Sequence, residues 1–387
     1  MTSTTEPSTS NDAIAPEQIL PAQIEDIVEL FAVHTTDAPT SDADRTAQLA
    51  APKFGQVFTD HMARISWRRT EGWVHRRIEK YAPLQLDPAT AVLHYAQEIF
   101  EGLKAYPHAD GSVWTFRPEE NAARFARSAH RLALPALSVD DFVASVAALV
   151  RVDRDWVPTA DDSSLYLRPF MFASEAFLGV RPADEAEYLV IASPSGAYFP
   201  GGVKPVSIWV DTEYHRAGPG GTGAAKTGGN YAASLLPQME AAAKGFDQVC
   251  FLDGGSNTYL EELGGMNLFL VMADGAVHTP ELSGSILEGV TRTSILQLAA
   301  DRGREVVERR IPIAEVATGL QEGSIAEVFA CGTAAVITPV GRLAGPTFDA
   351  TVGDGDPGEL TMAIRGELTD IQYGRAADRH GWLRRLA

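Results

Sequence analysis

The sequence predicts a two-domain protein of the mixed α/β or α+β class, and three observations support this. Its 387 residues correspond to about two domains at roughly 150 residues each. Amphipathic helical patterns alternate with short, apolar, strand-like runs. The stretch 193–205 is dense in Gly and Pro and separates halves of different texture. We therefore expect a smaller N-terminal domain at 22–198, a linker at 199–205 and a larger C-terminal domain at 206–387.

Residues 1–21 are rich in Ser, Thr and Pro and carry no Lys or Arg. A secretory signal needs a basic start and an apolar core, and a mitochondrial presequence needs arginines. We therefore expect a disordered tail rather than a targeting segment.

Helical and strand-like patterns alternate in the N-terminal half. Asp87 as a cap with Pro88 behind it predicts a helix that continues to Leu103. A second predicted helix follows Pro118, and a third begins at Asp140. Two apolar runs predict strands, at 164–172 and 188–192.

The C-terminal half repeats this alternation with more strands. Four apolar runs predict strands, at 206–210, 248–252, 267–272 and 327–331. Three amphipathic stretches predict helices, at 231–244, 291–301 and 357–371. Asp-Gly pairs at 253–254 and 274–275 predict tight turns.

Composition argues against several classes of partner. With 32 Lys and Arg against 51 Asp and Glu, the net charge of −19 disfavours binding to nucleic acid or to anionic membranes. Cys250 and Cys331 lie in apolar runs, which predicts buried, reduced thiols in a cytoplasmic protein. The nine histidines lack ligand spacing, so no metal site is predicted. The basic stretch 64–80 predicts internal ion pairs or a subunit contact.

A single lysine in a glycine-rich segment is the strongest chemical signal. Lys226 lies in GPGGTGAAKTGGNYAASL, among small residues that let backbone approach closely. Such surroundings suit an amine that enters a crowded pocket with a lowered pKa, as lysines that form Schiff bases do. A glycine-rich surface loop carrying one charge is the simpler interpretation.

A phosphate-binding P-loop at 220–227 (GGTGAAKT) is a further alternative. Two features disfavour it. A P-loop leads directly into a helix, and Gly228-Gly229-Asn230 should break a helix there. The preceding residues, TEYHRAGPGG, are not an apolar strand.

Two adjacent carboxylates, Glu261 and Glu262, lie in TYLEELGGMNLF. In a strand they point to opposite faces, so we expect at most one of them to be buried. A buried carboxylate needs a partner, and a protonated pyridine nitrogen is one candidate. A surface pair near a turn is the alternative.

Several segments could bind anions or line a pocket. The Gly289-Val290-Thr291 run precedes a predicted helix whose free N–H groups can hold a phosphate, and Arg124 could supply a cation. The Gly332-Thr333-Ala334 run offers a second turn rich in donors. Taken singly, the first run is explained equally well by an ordinary helix cap and the second by an ordinary turn. Four side chains have the spacing of either a core or a site: Tyr95, Phe100, Tyr166 and Arg168.

Together these segments resemble the branched-chain amino acid aminotransferases, which are pyridoxal-phosphate enzymes of fold type IV. The resemblance runs from about Phe54 to the C-terminus and rests on ordered blocks. They include LHYAQEIFEGLKAY, FRPEENAARFARSA, SLYLRPFMF, GAYFPGG, KTGGNYAASL, ELGGMNLF, EGVTRTSIL and CGTAAVITPV. The resemblance implies a cytoplasmic homodimer that transfers amino groups between L-Leu, L-Ile or L-Val and 2-oxoglutarate. A D-amino acid aminotransferase or an aminodeoxychorismate lyase of the same fold is the alternative, which EIFEGLKAY and SLYLRPF disfavour.

The resemblance also implies how pyridoxal 5′-phosphate is held. Lys226 would form the Schiff base and shuttle the proton. Tyr231 would hydrogen-bond the phenolic oxygen, and Glu262 would pair with the pyridine nitrogen. The implied phosphate ligands are Arg124, Val290, Thr291 and Thr333.

Further residues are implied at the substrate. Thr333 and Ala334 match the turn that faces the substrate carboxylate, with Tyr166 nearby. The implied walls of the side-chain pocket are Tyr95, Phe100, Arg168 and Tyr198. Leu178 and Val180 match a loop that reaches the site of the neighbouring subunit.

The chain departs from the resemblance at two places. Some members carry a C-x-x-C redox pair after the Gly-Thr-Ala turn, where this chain has Ala335 and Thr338. We therefore expect no thiol switch. Gly265 stands where those members have a threonine, so a hydroxyl contact is lost there, and a backbone N–H could replace it.

Overall fold

Two nine-stranded sheets form the framework of the chain in a computed structural model that describes residues 18–197 and 201–387. The elements of the first half are α1 (Ala22–Glu29), β1 (Ala32–Val33), α2 (Asp42–Ala50), β2 (His61–Arg68), β3 (Gly72–Lys80), α3 (Ala91–Tyr95), β4 (Glu98–Phe100), β5 (Leu103–Pro107), β6 (Val113–Phe116), α4 (Pro118–Arg131), α5 (Val139–Val152), β7 (Ser164–Ala173) and β8 (Glu185–Ser195).

The second half continues the alternation. Its elements are β9 (Val206–Val210), α6 (Gly228–Ala243), β10 (Gln248–Leu252), β11 (Leu260–Leu263), β12 (Asn267–Met272), β13 (Val277–Pro280), α7 (Val290–Asp301), β14 (Val306–Arg309), α8 (Ile313–Glu322), β15 (Ile325–Gly332), β16 (Val336–Gly345), β17 (Phe348–Thr351), α9 (Glu359–Gln372) and β18 (Leu383–Arg385).

The first sheet has the strand order β1-β3-β2-β8-β7-β5-β6-β18, and β4 also pairs with β7. Apart from the short parallel pair β1–β3, its strands are antiparallel. Helices α4 and α5 pack against it, and rings such as Phe125, Phe142 and Tyr188 fill the space between. The last strand, β18, pairs with β6, so the C-terminus of the chain returns to the first sheet.

The second sheet has the order β11-β10-β9-β16-β15-β12-β13-β14, with β17 paired to β16. Strand β9 runs parallel to both of its neighbours, β10 and β16. Helices α7 and α9 cover the stacked rings of Phe269 and Phe329 through Ile295 and Ile364. Helix α6 packs beside β10. Among residues 18–197 and 201–387, none of the helices has the length and apolar character that crossing a bilayer requires.

Most of the predicted elements are confirmed, because hydrophobic period and end signals agree there. Helix α4 begins at Pro118, as predicted, and α5 begins just before Asp140, where the Ser138 side chain accepts a hydrogen bond from the Asp141 N–H. The predicted bounds of β9, β10 and β12 match the structure. Both cysteines are buried and free, and the stretch 64–80 forms ion pairs such as Arg64–Glu187 at 2.9 Å.

The helix predicted from Asp87 to Leu103 is wrong. Only residues 91–95 are helical, Ala96 is left-handed with φ of 49°, and β4 follows at once. Strand β4 pairs with β7 and buries Ile99 completely. The apolar residues of this segment satisfy a helical spacing as well as a strand, and pairing with β7 decides between them.

The predicted domain boundaries stay predictions. Most of the predicted tail, residues 1–17, lies outside the described residues, and so do residues 198–200, which include the start of the predicted linker. Residues 18–21 are described, and Leu20 among them is buried against the first sheet and its helices.

Candidate active site

Lys226 is the last residue but one before α6, and its backbone is held by α4 and β4. Its N–H donates to the Ser128 hydroxyl at 2.9 Å, and its carbonyl accepts the Phe100 N–H at 2.9 Å. Its half-buried side chain donates from Nζ to the Tyr231 hydroxyl at 2.6 Å. The Phe100 ring centre lies 4.8 Å from the same Nζ. The amine is thus fixed in direction and remains partly accessible.

Tyr231 reaches Lys226 because α6 starts immediately after Thr227. Our expectation that Gly228-Gly229-Asn230 would break a helix is wrong. The Gly228 N–H is bound by the Glu98 carboxylate, and the Asn230 amide donates to the Thr222 and Ala225 carbonyls at 2.8 Å, so the first turn is held from outside. The other argument against a P-loop stands, since residues 211–227, all of them described, contain no strand.

Glu262 lies in β11 within a cluster of donors. It is 2% exposed and forms an ion pair with Arg216 Nη1 at 2.7 Å. The Asn267 amide donates to it at 3.1 Å and the Leu287 N–H at 2.8 Å. Burial raises the pKa of Glu262 to about 7, although the charge of Arg216 acts in the opposite direction. A second cation beside this carboxylate would therefore stabilise its charged form.

The expectation that only one of the two adjacent carboxylates is buried is wrong. Glu261 is 4% exposed and accepts hydrogen bonds from the hydroxyls of Ser283, at 3.2 Å, and Ser285. The segment 283–287 supplies partners to both Glu261 and Glu262, so neither side of β11 faces solvent. Alternation along a strand separates the two side chains, but it does not expose one of them when both faces are covered.

Arg124 forms a buried pair with a carboxylate that sequence reasoning missed. Its Nε and Nη2 donate to Glu101 at 2.7 and 2.8 Å, and its Nη1 donates to the Glu288 carbonyl at 2.9 Å. Burial works to raise the pKa of Glu101, but Arg124 holds that pKa below its usual value. A guanidinium carries five N–H groups, so these three bonds leave two donors beside the start of α7.

The predicted phosphate residues converge at that place. Gly289 is the N-cap of α7, and within the described residues no side chain caps this helix. A β-carbon at Gly289 would lie 2.1 Å from Asn267 Oδ1, so the close approach there requires glycine. Val290, Thr291 and Thr333 line one small cavity. Free N–H groups of α7 and a second turn therefore meet at one point, as an anion site requires.

The predicted substrate residues divide into two groups. Tyr166 and Ala334 line a common cavity of about 210 Å³ with Phe54 and Lys104. Arg168 donates from Nη2 to the Tyr166 hydroxyl at 3.0 Å, and its guanidinium lies 4.8 Å from the Phe100 ring centre. Arg168 thus contacts Phe100, and Phe100 in turn contacts Lys226.

The second group lies at the surface. Leu178 is 65% exposed and Val180 89%, and the exposed Tyr95 donates its hydroxyl proton to the Leu178 carbonyl. Tyr198 is outside the described residues. The structure therefore brings Phe100, Tyr166, Arg168 and Ala334 together and leaves Tyr95, Leu178 and Val180 apart from Lys226.

The residues present fit a pyridoxal cofactor. They offer a fixed primary amine at Lys226, a phenol at Tyr231, a buried carboxylate at Glu262 that a cationic ring nitrogen would stabilise, and an uncapped helix start for a phosphate. Arg216 adds a buried Nη2 that has no hydrogen-bond partner in the described part of the chain.

Sequence reasoning missed the partners that hold these groups in place. Their signal was modest: a glutamate inside the apolar run EIFEGLKAY and a single arginine before a glycine-rich loop. The missed residues are Phe54, Glu98, Glu101, Lys104, Ser128, Arg216 and Asn267.

Comparison with known proteins gives a consistent result. Residues 98–343 match the family described as Amino-transferase class IV. The branched-chain-amino-acid aminotransferase of Mycolicibacterium smegmatis is 56% identical over 360 residues, which cover 92% of this chain and 98% of that protein. The structure is similar to that of the Escherichia coli branched-chain amino acid aminotransferase, at 30% identity and a TM-score of 0.69, covering 84% of this chain and 100% of that one.

A further similar structure is the T.th. branched-chain amino acid aminotransferase complexed with N-(5′-phosphopyridoxyl)-L-glutamate. It is 30% identical, with a TM-score of 0.67, and the match covers 84% of this chain and 99% of that chain.

Proposed function

The chain belongs to the class IV amino-transferases, and from this premise we propose that it transfers the amino group of L-Leu, L-Ile or L-Val to 2-oxoglutarate with pyridoxal 5′-phosphate as cofactor. The products are the branched-chain 2-oxo acids and L-glutamate. The observation that carries the proposal is the Lys226 amine, held 2.6 Å from the Tyr231 hydroxyl in the same half of the chain as the buried Glu262–Arg216 pair.

When bound, the cofactor supplies the electron sink that stabilises negative charge at the substrate Cα. Lys226 would hold the cofactor through its amine and would take and return the Cα proton at its Nζ. Tyr231 is the hydrogen-bond partner that directs this nitrogen. Glu262 would face the ring nitrogen: burial raises the pKa of this carboxyl, and a protonated ring nitrogen beside it would stabilise its charged form and be stabilised by it in turn.

The phosphate is held by the N–H groups at Val290 and Thr291, by Thr333, and by the free donors of Arg124. Glu101 fixes the direction of the Arg124 guanidinium through two hydrogen bonds. These contacts bind and orient the cofactor.

The substrate carboxylate would lie at the Thr333–Ala334 turn, where Ala334 and Tyr166 line one cavity, and the side chain would face Phe100 and Arg168. An apolar pocket gains only about 1–3 kcal/mol per methylene, so activity on several apolar substrates is expected. Arg168 offers a buried Nε that has no partner in the described residues, which supports a carboxylate ligand at the same place. The pyridoxyl-L-glutamate complex of the T.th. protein supports glutamate as the second substrate.

We further propose that the enzyme is a cytoplasmic homodimer. Leu178 and Val180 lie on a strongly exposed apolar loop, and a second subunit would cover it and complete the neighbouring site. The buried, free thiols of Cys250 and Cys331 are those of a protein in a reducing compartment.

Two measurements test this function. The purified chain should show a visible cofactor absorption band that borohydride abolishes, and a pyridoxyl group should then be found on the peptide containing Lys226. A steady-state screen of L-Leu, L-Ile, L-Val and D-Ala with 2-oxoglutarate should give turnover with the three L-substrates alone. Turnover of D-Ala, or none with any of the four, would favour a D-amino acid aminotransferase or an aminodeoxychorismate lyase.

A further inference from the structure

Three consecutive residues around the catalytic amine are bound by one short strand of the first sheet. The Phe100 N–H donates to the Lys226 carbonyl at 2.9 Å. Two residues earlier in β4, the Glu98 carboxylate accepts the Thr227 hydroxyl at 3.1 Å and the Gly228 N–H. The backbone of Phe100 and the side chain of Glu98 therefore both bind the segment 226–228.

The start of α6 depends on this strand. Thr227 is the N-cap of α6, and its own side chain does not cap the helix. A helix leaves its first four N–H groups without intrahelical partners, and an external carboxylate can bind one of them and interact favourably with the positive end of the helix. Glu98 binds the N–H of Gly228 in this way from the first sheet, whereas α6 packs beside β10 of the second sheet. A β-carbon at Gly228 would lie 2.6 Å from its Oε1, so the contact is close.

A second glutamate does the same far from the amine, which provides an internal reference. Glu327 of β15 accepts the N–H groups of Leu360 and Thr361 at 2.9 and 2.8 Å, at the start of α9. Like α6, α9 begins without a cap from its own N-cap residue. The external cap has a different consequence in the two helices, because only α6 is continuous with Lys226.

We propose that Glu98 is a positioning residue that anchors the start of α6 to β4 and thereby fixes the direction in which the Lys226 amine points. The proposal rests on the proposed function, because it assigns this residue to the reaction at Lys226. Helix α6 also carries Tyr231, so movement of its first turn displaces both Lys226 and the hydroxyl that binds Nζ.

Hydrogen-bond acceptance rather than charge is the property required. Burial raises the pKa of Glu98, so the site tolerates a less charged group. Both bonds go to Oε1, an atom that glutamine also has, whereas alanine removes the acceptor. Glu98→Ala therefore removes both the hydrogen bonds and the charge, whereas Glu98→Gln removes only the charge. Glu327→Ala is the matched control for the loss of an external helix cap.

The experiment uses the full chain loaded with pyridoxal 5′-phosphate. For Glu98→Ala we expect a 10- to 100-fold fall in kcat on leucine, of the order that a misplacement of about 1 Å produces, with KM within about threefold. Hydrogen exchange should become faster in the peptide 226–236. Glu98→Gln should restore both quantities to within about twofold of the parent. Glu327→Ala should speed exchange only around 358–368 and leave kcat within about twofold.

Three results would overturn the proposal: parental exchange in Glu98→Ala, faster exchange with parental kcat, or equal losses in Glu98→Ala and Glu98→Gln. Failure of the proposed function looks different, because then the parent chain itself does not transaminate leucine. In that case two readouts still test the role of Glu98: hydrogen exchange in 226–236, and the yield of pyridoxyl group that borohydride fixes to Lys226. Glu98→Ala should lower this yield, and Glu98→Gln should not.

Discussion

Glu261 and Glu262 are adjacent in β11 and equally buried, yet their surroundings differ in kind. Glu262 has a guanidinium, an amide and a backbone N–H around it, and the charge of Lys226 acts on it as well. Glu261 has the hydroxyls of Ser283 and Ser285. The direct partners of Glu262 include a cation, whereas the direct partners of Glu261 are neutral hydroxyls.

This difference shows that burial alone does not identify a functional carboxylate. Burial raises the pKa of both groups. Hydroxyl partners can satisfy a carboxylate in either protonation state, since a hydroxyl both donates and accepts. A carboxylate that faces cations is instead stabilised in its charged form, and this is the state that can hold a proton on a neighbouring ring nitrogen. We therefore assign the cofactor contact to the Glu262 side of the strand.

The largest effect is expected from removing the amine whose charge acts on Glu262. Lys226→Ala should abolish multiple turnovers of leucine, because neither the covalent attachment nor the proton transfer has a substitute. The segment of small residues should tolerate alanine, so the circular dichroism spectrum should be unchanged. Lys244→Ala, an exposed lysine at the other end of α6, is the control and should keep parental activity. Turnover of leucine by Lys226→Ala at a near-parental rate would contradict the assignment.

The next effect concerns the charged carboxylate. Glu262→Gln keeps the shape but removes the charge that favours the protonated ring, so kcat should fall much more than KM rises. An opposite charge within a few Å moves a pKa by about one to three units, and each unit is worth about 1.4 kcal/mol, so a 10- to 1000-fold loss is expected. The variant also leaves Arg216 buried without its anion, so the thermal midpoint should fall.

Four strands and three helices of the second half were predicted, because local pattern and tertiary role agree there. The bounds of β9, β10 and β12 follow from apolar runs between turns, and α7 follows from its helical spacing. The segment 87–103 was not predictable in this way. Its spacing fits a helix, and only pairing with β7, which is distant in the sequence, makes β4 a strand.

The site divides in the same way. Lys226 has a local signal in the glycine-rich segment, Tyr231 was implied by the family resemblance, and the structure brings their side chains within 2.6 Å. The pairs Arg124–Glu101 and Glu262–Arg216 join residues that are 23 and 46 positions apart. No local pattern contains such a pair, because each partner alone is an ordinary charged residue. The burial of both carboxylates of β11 was not predicted for a related reason, since the covering segment 283–287 is remote from them in sequence.

A smaller effect is expected on the neutral side of β11. In Glu261→Gln the side-chain oxygen can still accept the hydroxyls of Ser283 and Ser285, and no cation loses its partner. We expect kcat on leucine to change by less than about threefold, a small free energy compared with the loss of a buried charge pair. Kinetics of this variant beside Glu262→Gln decide the comparison. Equal small losses in the two variants, or a larger loss in Glu261→Gln, would contradict the assignment of the cofactor contact to Glu262.

The smallest effect is expected from oxidation, which tests the strand behind the two carboxylates. Cys250 of β10 pairs directly with Leu263 of β11, so a modified sulfur there would disturb the strand that carries Glu261 and Glu262. The thiolate is the reactive form, and burial raises the pKa of both Cys250 and Cys331, so the reactive fraction is very small. Ala335 and Thr338 stand where a redox pair would lie. Activity should therefore be unchanged by mild peroxide, and mass spectrometry should find both thiols unmodified. Rapid inactivation that dithiothreitol reverses would show that one of these cysteines is accessible and that β10, which carries Cys250, or β15, which carries Cys331, opens under native conditions.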